Sequence, residues 1–245
     1  MKGRIVILLT IFVWVLWGIH AGVDEYGRST LAVLILSAAL SIVRGLLLVI
    51  PITALVILVV SAAEIFEWKC VSLIATPLTR AIESVPSYLW VLASIASASA
   101  LPLVAAAIAL GVSMLPFGYV TMRAVMRQLL RQSFVHGAIL SGLPRRVILL
   151  RHVLPHLMLP AASLGTNMLG MAIAAYGAIG AFGFANRQTL DVGTLLLRGR
   201  ENAAIDPALL WLSLSGYVLL FLGLRKLADA LWRRAVPSVA TSIGK

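Results

Sequence analysis

The sequence has little cysteine and few charged residues. The first excludes sites built from several cysteines, and the second is unlike a soluble domain. Its 245 residues include one cysteine, Cys70, which excludes an internal disulfide and a metal site built from several cysteines. Charged residues make up 12% of the chain and hydrophobic residues 61%, whereas soluble domains carry about 25% and 45–50%. The mean hydropathy is +1.01. This composition predicts a membrane protein with room for about six spanning helices of roughly 20 residues each.

The sequence also lacks the patterns that carry catalysis. It has no Gly-x-x-x-x-Gly-Lys-[Ser/Thr] loop, so it cannot bind ATP through a loop of that kind itself. A serine–histidine–aspartate set and a pair of catalytic carboxylates are not evident either. His136, His152 and His156 lie in a basic segment without carboxylates, which argues against a metal site. We therefore expect a protein that is not an enzyme, with no metal or cofactor in this chain.

Apolar runs predict an all-α, polytopic membrane protein in which residues 1–245 form one transmembrane domain. The six predicted spans are about Arg4–Gly18, Gly45–Ala63, Ile82–Ser99, Leu101–Met122, Leu159–Phe182 and Ala208–Leu224. The first run could also be a secretory signal peptide, but no Ala-x-Ala site follows it, so we predict a retained helix. A further run, Ser29–Ile42, is rich in small residues and is interpreted as lying partly along the membrane interface. Pro51 is expected to kink the second span, and Pro116 to interrupt the fourth.

Basic residues predict the orientation of these spans. Most of them lie in the N-terminus, between spans four and five, and in the C-terminal tail, which share one side of a six-span topology. The positive-inside rule makes that side cytoplasmic, so both termini are predicted to be cytoplasmic. The net charge of +11 could suit nucleic acid, but basic residues at the ends of apolar runs favour membrane orientation instead.

Some charged residues near the span ends are assigned structural roles. Arg123, Arg127 and Arg131 are four residues apart and form one helical stripe, which we expect to meet lipid headgroups. Arg44 and Glu64 are expected to cap the second span at its opposite ends. The loop between spans two and three contains carboxylates as well as basic residues, so it does not follow the positive-inside pattern.

The segment between spans four and five, FVHGAILSGLPRRVILLRHVLPHLMLP, carries the most informative motif. Gly142 supplies the conformational freedom for a corner between two short helices, and Pro144 can start the second helix. Val147, Leu150 and Leu154 recur at i, i+3 and i+7, so they share a face that a groove could bury. An ordinary basic loop between two helices is the plainer interpretation of this spacing.

This layout resembles the cytoplasmic coupling loop of ATP-binding-cassette (ABC) importer permeases, where a membrane subunit docks on a separate ATPase. The family pattern is roughly Glu-Ala-Ala, three residues, Gly, about nine residues and hydrophobic-Leu-Pro. Here His136-Gly137-Ala138, Gly142 and Val153-Leu154-Pro155 match it, within a loop of about residues 134–156. The family's glutamate is replaced by histidine, so docking is expected to rely on arginines and apolar burial. The resemblance assigns ATPase coupling to His136, Gly137, Ala138, Gly142, Leu143, Arg145, Arg146, Leu150, Leu154 and Pro155.

Three further segments resemble the dipeptide, oligopeptide and nickel branch of this family. They are Asp24–Arg28, Ile82–Ser87, and Ala181–Phe184 followed by Val192–Leu196 and Gly199–Glu201. Their order extends the resemblance over about residues 22–234. It implies the type I ABC importer permease fold in a bacterial inner membrane. It also implies a second permease subunit, two ATPase subunits that bind ATP and magnesium, an extracytoplasmic substrate-binding protein and membrane lipid as partners, with no nucleic acid.

The resemblance places half of a translocation pathway for a peptide, nickel or metal-chelator substrate in this chain. Small and polar residues that interrupt the apolar spans are its expected lining: Ser94, Ser97, Ser113, Ser163, Thr166 and Asn167. Helix packing is an equal explanation for such residues. Residues 186–206 are too polar to span and predict a short helix at the mouth of the pathway. Its expected contacts with the gate or the binding protein are Gly193, Arg198, Arg200 and Glu201.

Two other classes of protein remain open from the sequence. An ion-coupled secondary transporter usually has intramembrane carboxylates or inverted repeats, and neither is evident here. A membrane-embedded enzyme needs a convergent polar site within its spans, which is also not evident.

Overall fold

The structure is a computed structural model, and it describes residues 30–97, 102–181, 192–204 and 207–240. Within these ranges the chain is helical and has no β-strand. The predicted first span and the Asp24–Arg28 segment lie outside the described residues. The helices are α1 (Thr30–Glu64), α2 (Lys69–Glu83), α3 (Ser87–Ser97), α4 (Pro102–Leu130), α5 (Ser133–Leu140), α6 (Arg145–Val147), α7 (Leu154–Ala181), α8 (Val192–Glu201) and α9 (Pro207–Ala240).

Four helical stretches of the described chain are long and apolar enough to cross a membrane. They are Ala32–Glu64, Ala105–Leu130, Arg145–Ile179 and Pro207–Ala235. A helix satisfies its backbone hydrogen bonds internally, which is what a chain surrounded by lipid requires. The protein is therefore membrane-embedded and all-helical over its described residues, and four of the six predicted spans have a spanning helix here.

The second and fourth predicted spans are continuous helices, and both run through a proline. Helix α1 extends from Thr30 through Pro51 to Glu64, so the run expected to lie partly along the interface is continuous with the second span. Helix α4 likewise continues through Pro116 without a break. Neighbouring groups can satisfy the backbone carbonyl that a proline leaves unpaired within a membrane helix, so proline need not end it.

The third predicted span, Ile82–Ser99, contains a helix break. Helix α2 ends at Glu83 and α3 begins at Ser87, directly after Pro86. The indole nitrogen of Trp90 donates to the carbonyl oxygen of Ile82 at 3.4 Å and so satisfies one group at the end of α2. The 11 residues of α3 rise about 16 Å, roughly half of a 30 Å hydrocarbon core.

The chain folds as two compact units. The first contains the described residues up to Leu46 and the stretch from Leu169 to Leu224. Its core includes Val33 and Leu34 of α1, Leu195 of α8 and Leu212 of α9. The Ser41 hydroxyl accepts a hydrogen bond from the Val192 amide at 3.0 Å, which satisfies a free donor at the start of α8. Helices α8 and α9 approach closely, because a Cβ on Gly199 would lie 2.8 Å from the Leu210 Cα.

The second unit contains Leu47–Met168 and the described residues from Arg225. Helices α1, α4 and α7 meet at Gly118, where an added Cβ would lie 2.7 Å from Met168 Cε and 3.0 Å from Val56 Cγ2. Small residues allow such close approach between membrane helices. The Ser163 hydroxyl donates to the Ala228 carbonyl at 2.8 Å and joins α7 to α9. This unit carries the segment that the sequence singles out.

Candidate functional site

The predicted glycine corner is present at the end of α5. Gly142 has φ +74°, in the left-handed region that favours glycine. The Leu143 amide donates to the Ala138 carbonyl at 3.3 Å, and the Gly142 amide donates to the Ile139 carbonyl at 3.0 Å. This pair of bonds is a Schellman cap with glycine at its usual position. Pro144 follows with φ −65° and ψ 143° and caps the next helix rather than lying within it.

The second helix of the corner is the start of a spanning helix, so the prediction of two short helices is only half right. Helix α6 passes through a π-helical segment, Ile148–Val153, into α7 without a break. A π-helix has more residues per turn than an α-helix, which shifts the faces. Leu150 is consequently exposed while Val147 and Leu154 are half-buried, so the apolar face predicted from α-helical spacing is split.

The corner presents an exposed apolar surface on a packed base. We call Ile139, Leu140, Leu143 and Leu150 the corner surface; all four side chains are exposed, Leu140 by 86%. The base is buried, and its side chains are Val135, Ala138, Ile148 and Val153. The rings of Phe134 and His156, with centroids 5.0 Å apart, also hold α5 against the start of α7. The arrangement is a knob, made of α5, the Gly142 corner and the start of the Arg145–Ile179 helix, whose corner surface has no cover within the described chain.

Nearly all of the predicted coupling residues lie at or beside this knob. His136, Gly137, Gly142, Leu143, Arg145, Arg146, Leu150 and Pro155 are exposed. Leu154 is half-buried, and Ala138 is buried in the base. Ala138 therefore supports the knob from within. The sequence motif assigned it to docking, but its buried side chain is not available for that role.

A partly buried ion cluster lies beside the knob, and it gives two arginines of the predicted stripe a partner within the protein. Arg123 Nε is 2.5 Å from Glu64 Oε1, and Arg127 Nε is 2.9 Å from Glu64 Oε2. Arg123 Nη1 also donates to the Thr76 hydroxyl at 3.0 Å. The first two arginines of the predicted lipid-facing stripe thus bind Glu64, and Glu64 ties α1 to α4 instead of only capping α1.

Arg145 joins the knob to the connection between α1 and α2. Its guanidinium donates to the Ile65 carbonyl at 2.7 Å and lies 3.0 Å from Glu67 Oε1. Glu67 has φ +55°, which is unusual for a residue other than glycine. Sequence reasoning assigned Arg145 to coupling and missed its two partners. The signal was the pair of glutamates in a loop that did not fit the positive-inside pattern.

A basic cleft of about 780 Å³ opens beside the start of α5. Arg127, Arg131 and His136 contribute its ionisable side chains. The Nε of Arg127 already donates a hydrogen bond to the carboxylate of Glu64, whereas the side chain of Arg131 is exposed at the cleft. The cleft suits an acidic group of a partner because its ionisable groups are basic.

The predicted pathway residues have partners within the helices. The hydroxyls of Ser94, Ser97, Ser113 and Thr166 donate to carbonyls three or four residues earlier in their own helices. The Ser163 hydroxyl bonds the Ala228 carbonyl in another helix, and Asn167 is half-buried. Only the Ser163 bond joins two helices and so serves packing; the other four hydroxyl bonds lie within single helices, and pathway lining stays a prediction for those residues.

The predicted short helix in residues 186–206 is present as α8, and its apolar side is packed. Gly193 and the three leucines, Leu195–Leu197, are buried in the first unit. Arg200 and Glu201 are exposed and Arg198 is half-buried. The gate or binding-protein contact predicted for these residues stays a prediction, because the buried side of α8 serves packing.

Within the described residues, no group of three or more histidine, cysteine, aspartate or glutamate side chains could hold a metal ion. Comparison with known proteins gives no assignment, since no family model matches the chain and no curated protein matches it significantly.

Proposed function

We propose that the chain is the transmembrane permease subunit of an ATP-driven ABC importer in a bacterial inner membrane. It forms half of a pathway for a peptide, nickel or metal-chelator substrate, and its corner surface docks an ATPase subunit in the cytoplasm. A second permease, two ATPases and an extracytoplasmic binding protein complete the assembly. The observation that carries the proposal is the exposed apolar corner surface beside Gly142, because it lies where the resembled coupling loop has its corner.

The position of the knob supports docking outside the lipid core. The continuous helix Arg145–Ile179 has 35 residues, about 52 Å at 1.5 Å per residue, against a hydrocarbon core of about 30 Å. Part of this helix therefore extends beyond the core. The arginines at its beginning, Arg145, Arg146 and Arg151, are exposed and favour the headgroup region or the cytoplasm over lipid tails.

The chemistry of the knob predicts the chemistry of its partner. An exposed leucine tip buries well in an apolar groove, and each fully buried leucine contributes about 1.5–3 kcal/mol. Exposed arginines and the basic cleft around Arg131 and His136 favour carboxylates at the rim of that groove.

Transmission of movement from the ATPase has a physical route in this proposal. The knob continues into α7 through the π-helical segment, so a push on the corner acts on a spanning helix directly. Arg145 also links the knob to Ile65 and Glu67 at the end of α1. A docked ATPase would therefore act on two spanning helices of the second unit at once.

The test is purification of the tagged chain from its native membranes in mild detergent, followed by assay of ATP hydrolysis in the eluate. The wild-type chain should elute with an ATPase. Leu140→Asp should lose that ATPase by tenfold or more while its level in the membrane stays unchanged. The loss is expected because a charge cannot enter an apolar groove without a large cost.

Ser84→Asp is the matched control, since it places the same charge on an exposed turn between α2 and α3. It should retain the ATPase. A wild-type eluate without ATP hydrolysis would contradict the proposal and favour an ion-coupled transporter. Retention of the ATPase by Leu140→Asp would contradict the docking role of the corner surface.

A further inference from the structure

Helix α2 is amphipathic, and its apolar side faces away from the protein. Residues at i, i+3, i+4, i+7, i+8 and i+11 form an apolar stripe, which we call the outer stripe: Cys70, Leu73, Ile74, Pro77, Leu78 and Ala81. All six are exposed, including Leu73 by 75% and Ile74 by 63%. No residue of α2 is buried.

The opposite side of α2 packs on the protein although it is the more polar side. Thr76 accepts a hydrogen bond from Arg123 of α4 at 3.0 Å. Ser72, Ala75 and Thr79 share this side and are half-buried. A helix that packed by hydrophobicity alone would turn its leucines inward. The outer stripe is therefore oriented toward an apolar environment that the described residues of the chain do not supply.

The ends of α2 indicate a membrane interface as that environment. Four residues separate the start of α2 at Lys69 from the end of the α1 span at Glu64. Trp68 directly precedes it and is exposed by 58%; tryptophan is enriched at the headgroup level of membranes. Lys69 and Arg80 are exposed and lie along one line of the helix at the border of the outer stripe. Their charges suit anionic headgroups.

We propose that α2 lies in the membrane interface and inserts its outer stripe between lipids, with Lys69 and Arg80 at anionic headgroups. The apolar stripe buries itself in the acyl boundary, as interfacial amphipathic helices do. The packed side holds α2 beside the end of α4, which fixes its depth. This proposal depends on the membrane spans and is independent of the proposed ATPase docking.

The single cysteine allows a direct test, because Cys70 belongs to the outer stripe and is exposed. A nitroxide label is attached to the purified full chain in vesicles of phosphatidylethanolamine and phosphatidylglycerol. Collisions of the label with oxygen, which concentrates in lipid, are compared with collisions with a neutral nickel chelate, which stays in water. The label at Cys70 should favour oxygen. This reading needs no substitution, so it does not depend on a variant's folding.

Matched variants in a Cys70→Ser background extend the test around the helix. Ile74→Cys and Leu78→Cys on the outer stripe should show oxygen-to-nickel ratios several-fold above that of Arg80→Cys. Thr79→Cys on the packed side should collide little with either reagent. Equal or greater nickel access on the outer stripe would overturn the proposal by placing it in water. Low access to both reagents, with an immobilised spectrum, would overturn it in favour of protein cover such as a second copy of the chain.

Discussion

Glu64 is a carboxylate of the second unit that pairs with two arginines at once. Its side chain is 13% exposed, and its two oxygens accept from Arg123 and Arg127. A buried carboxylate is costly unless it is paired and hydrogen-bonded. The two arginines come from α4, so the pairing favours one register of α1 against α4.

Glu64→Gln tests this role with little change in shape. The variant removes the negative charge and leaves Arg123 beside a neutral amide, so the free energy of unfolding should fall by on the order of 1–3 kcal/mol. Thermal unfolding of the purified chain in detergent would measure the fall as a lower Tm. Glu67→Gln is the matched control, because the Glu67–Arg145 pair is exposed on both sides and should contribute less than about 1 kcal/mol. Equal losses in the two variants would refute the central role of Glu64.

The pairing of Glu64 with Arg123 and Arg127 could not be predicted from the sequence, because the partners are far apart in the chain. Glu64 and its two arginines are separated by 59 and 63 residues. The four-residue spacing of the two arginines predicts that they share a helix face. It carries no information about which residue of another helix lies against that face. The two glutamates were visible as exceptions to the charge pattern, and an exception of that kind is the signal for a specific partner.

At the scale of single elements, local chemistry was predictable and helix type was not. The corner at Gly142 depends on a glycine and a proline next to one another in the chain, so its signal is contained in a few residues. The π-helical segment, by contrast, shows the same apolar residues as an α-helix would. The exposure of Leu150 and the partial burial of Leu154 therefore could not be predicted from an α-helical period.

Replacement by alanine should change stability in opposite directions at two glycines, one within α5 and one in its C-terminal cap. Gly142→Ala forces alanine into the left-handed region and should cost about 1–2 kcal/mol. Gly137→Ala lies within α5, where an added Cβ meets nothing within 4 Å. It should stabilise by up to about 1 kcal/mol, because alanine has the higher helix propensity. Amide hydrogen exchange of α5 would measure both changes. A slower exchange in Gly142→Ala than in wild type would contradict the Schellman cap.

At the scale of the whole molecule, the apolar runs predicted the class and most of the spans. Composition sums over the chain, so it identified a helical membrane protein without any knowledge of contacts. The boundaries were less certain, because α1 is apolar well beyond the length of one span and continues through Pro51. The break before α3 is marked in the sequence by Pro86, yet the apolar residues on both sides led to a single predicted span.

The orientation of the whole chain remains a prediction, and three single cysteines in a Cys70→Ser background test it. Ser141 at the corner, Ala204 after α8 and Arg233 near the end of α9 are exposed. One spanning helix, Arg145–Ile179, separates the first position from the second, and Pro207–Ala235 follows the second. Ala204→Cys should therefore react with an impermeant maleimide on intact cells, whereas Ser141→Cys and Arg233→Cys should react only after permeabilisation. The reverse pattern would place the corner outside the cytoplasm, where no ATPase could reach it. Equal reaction of Ser141→Cys and Ala204→Cys on intact cells would mean that α7 does not cross the membrane.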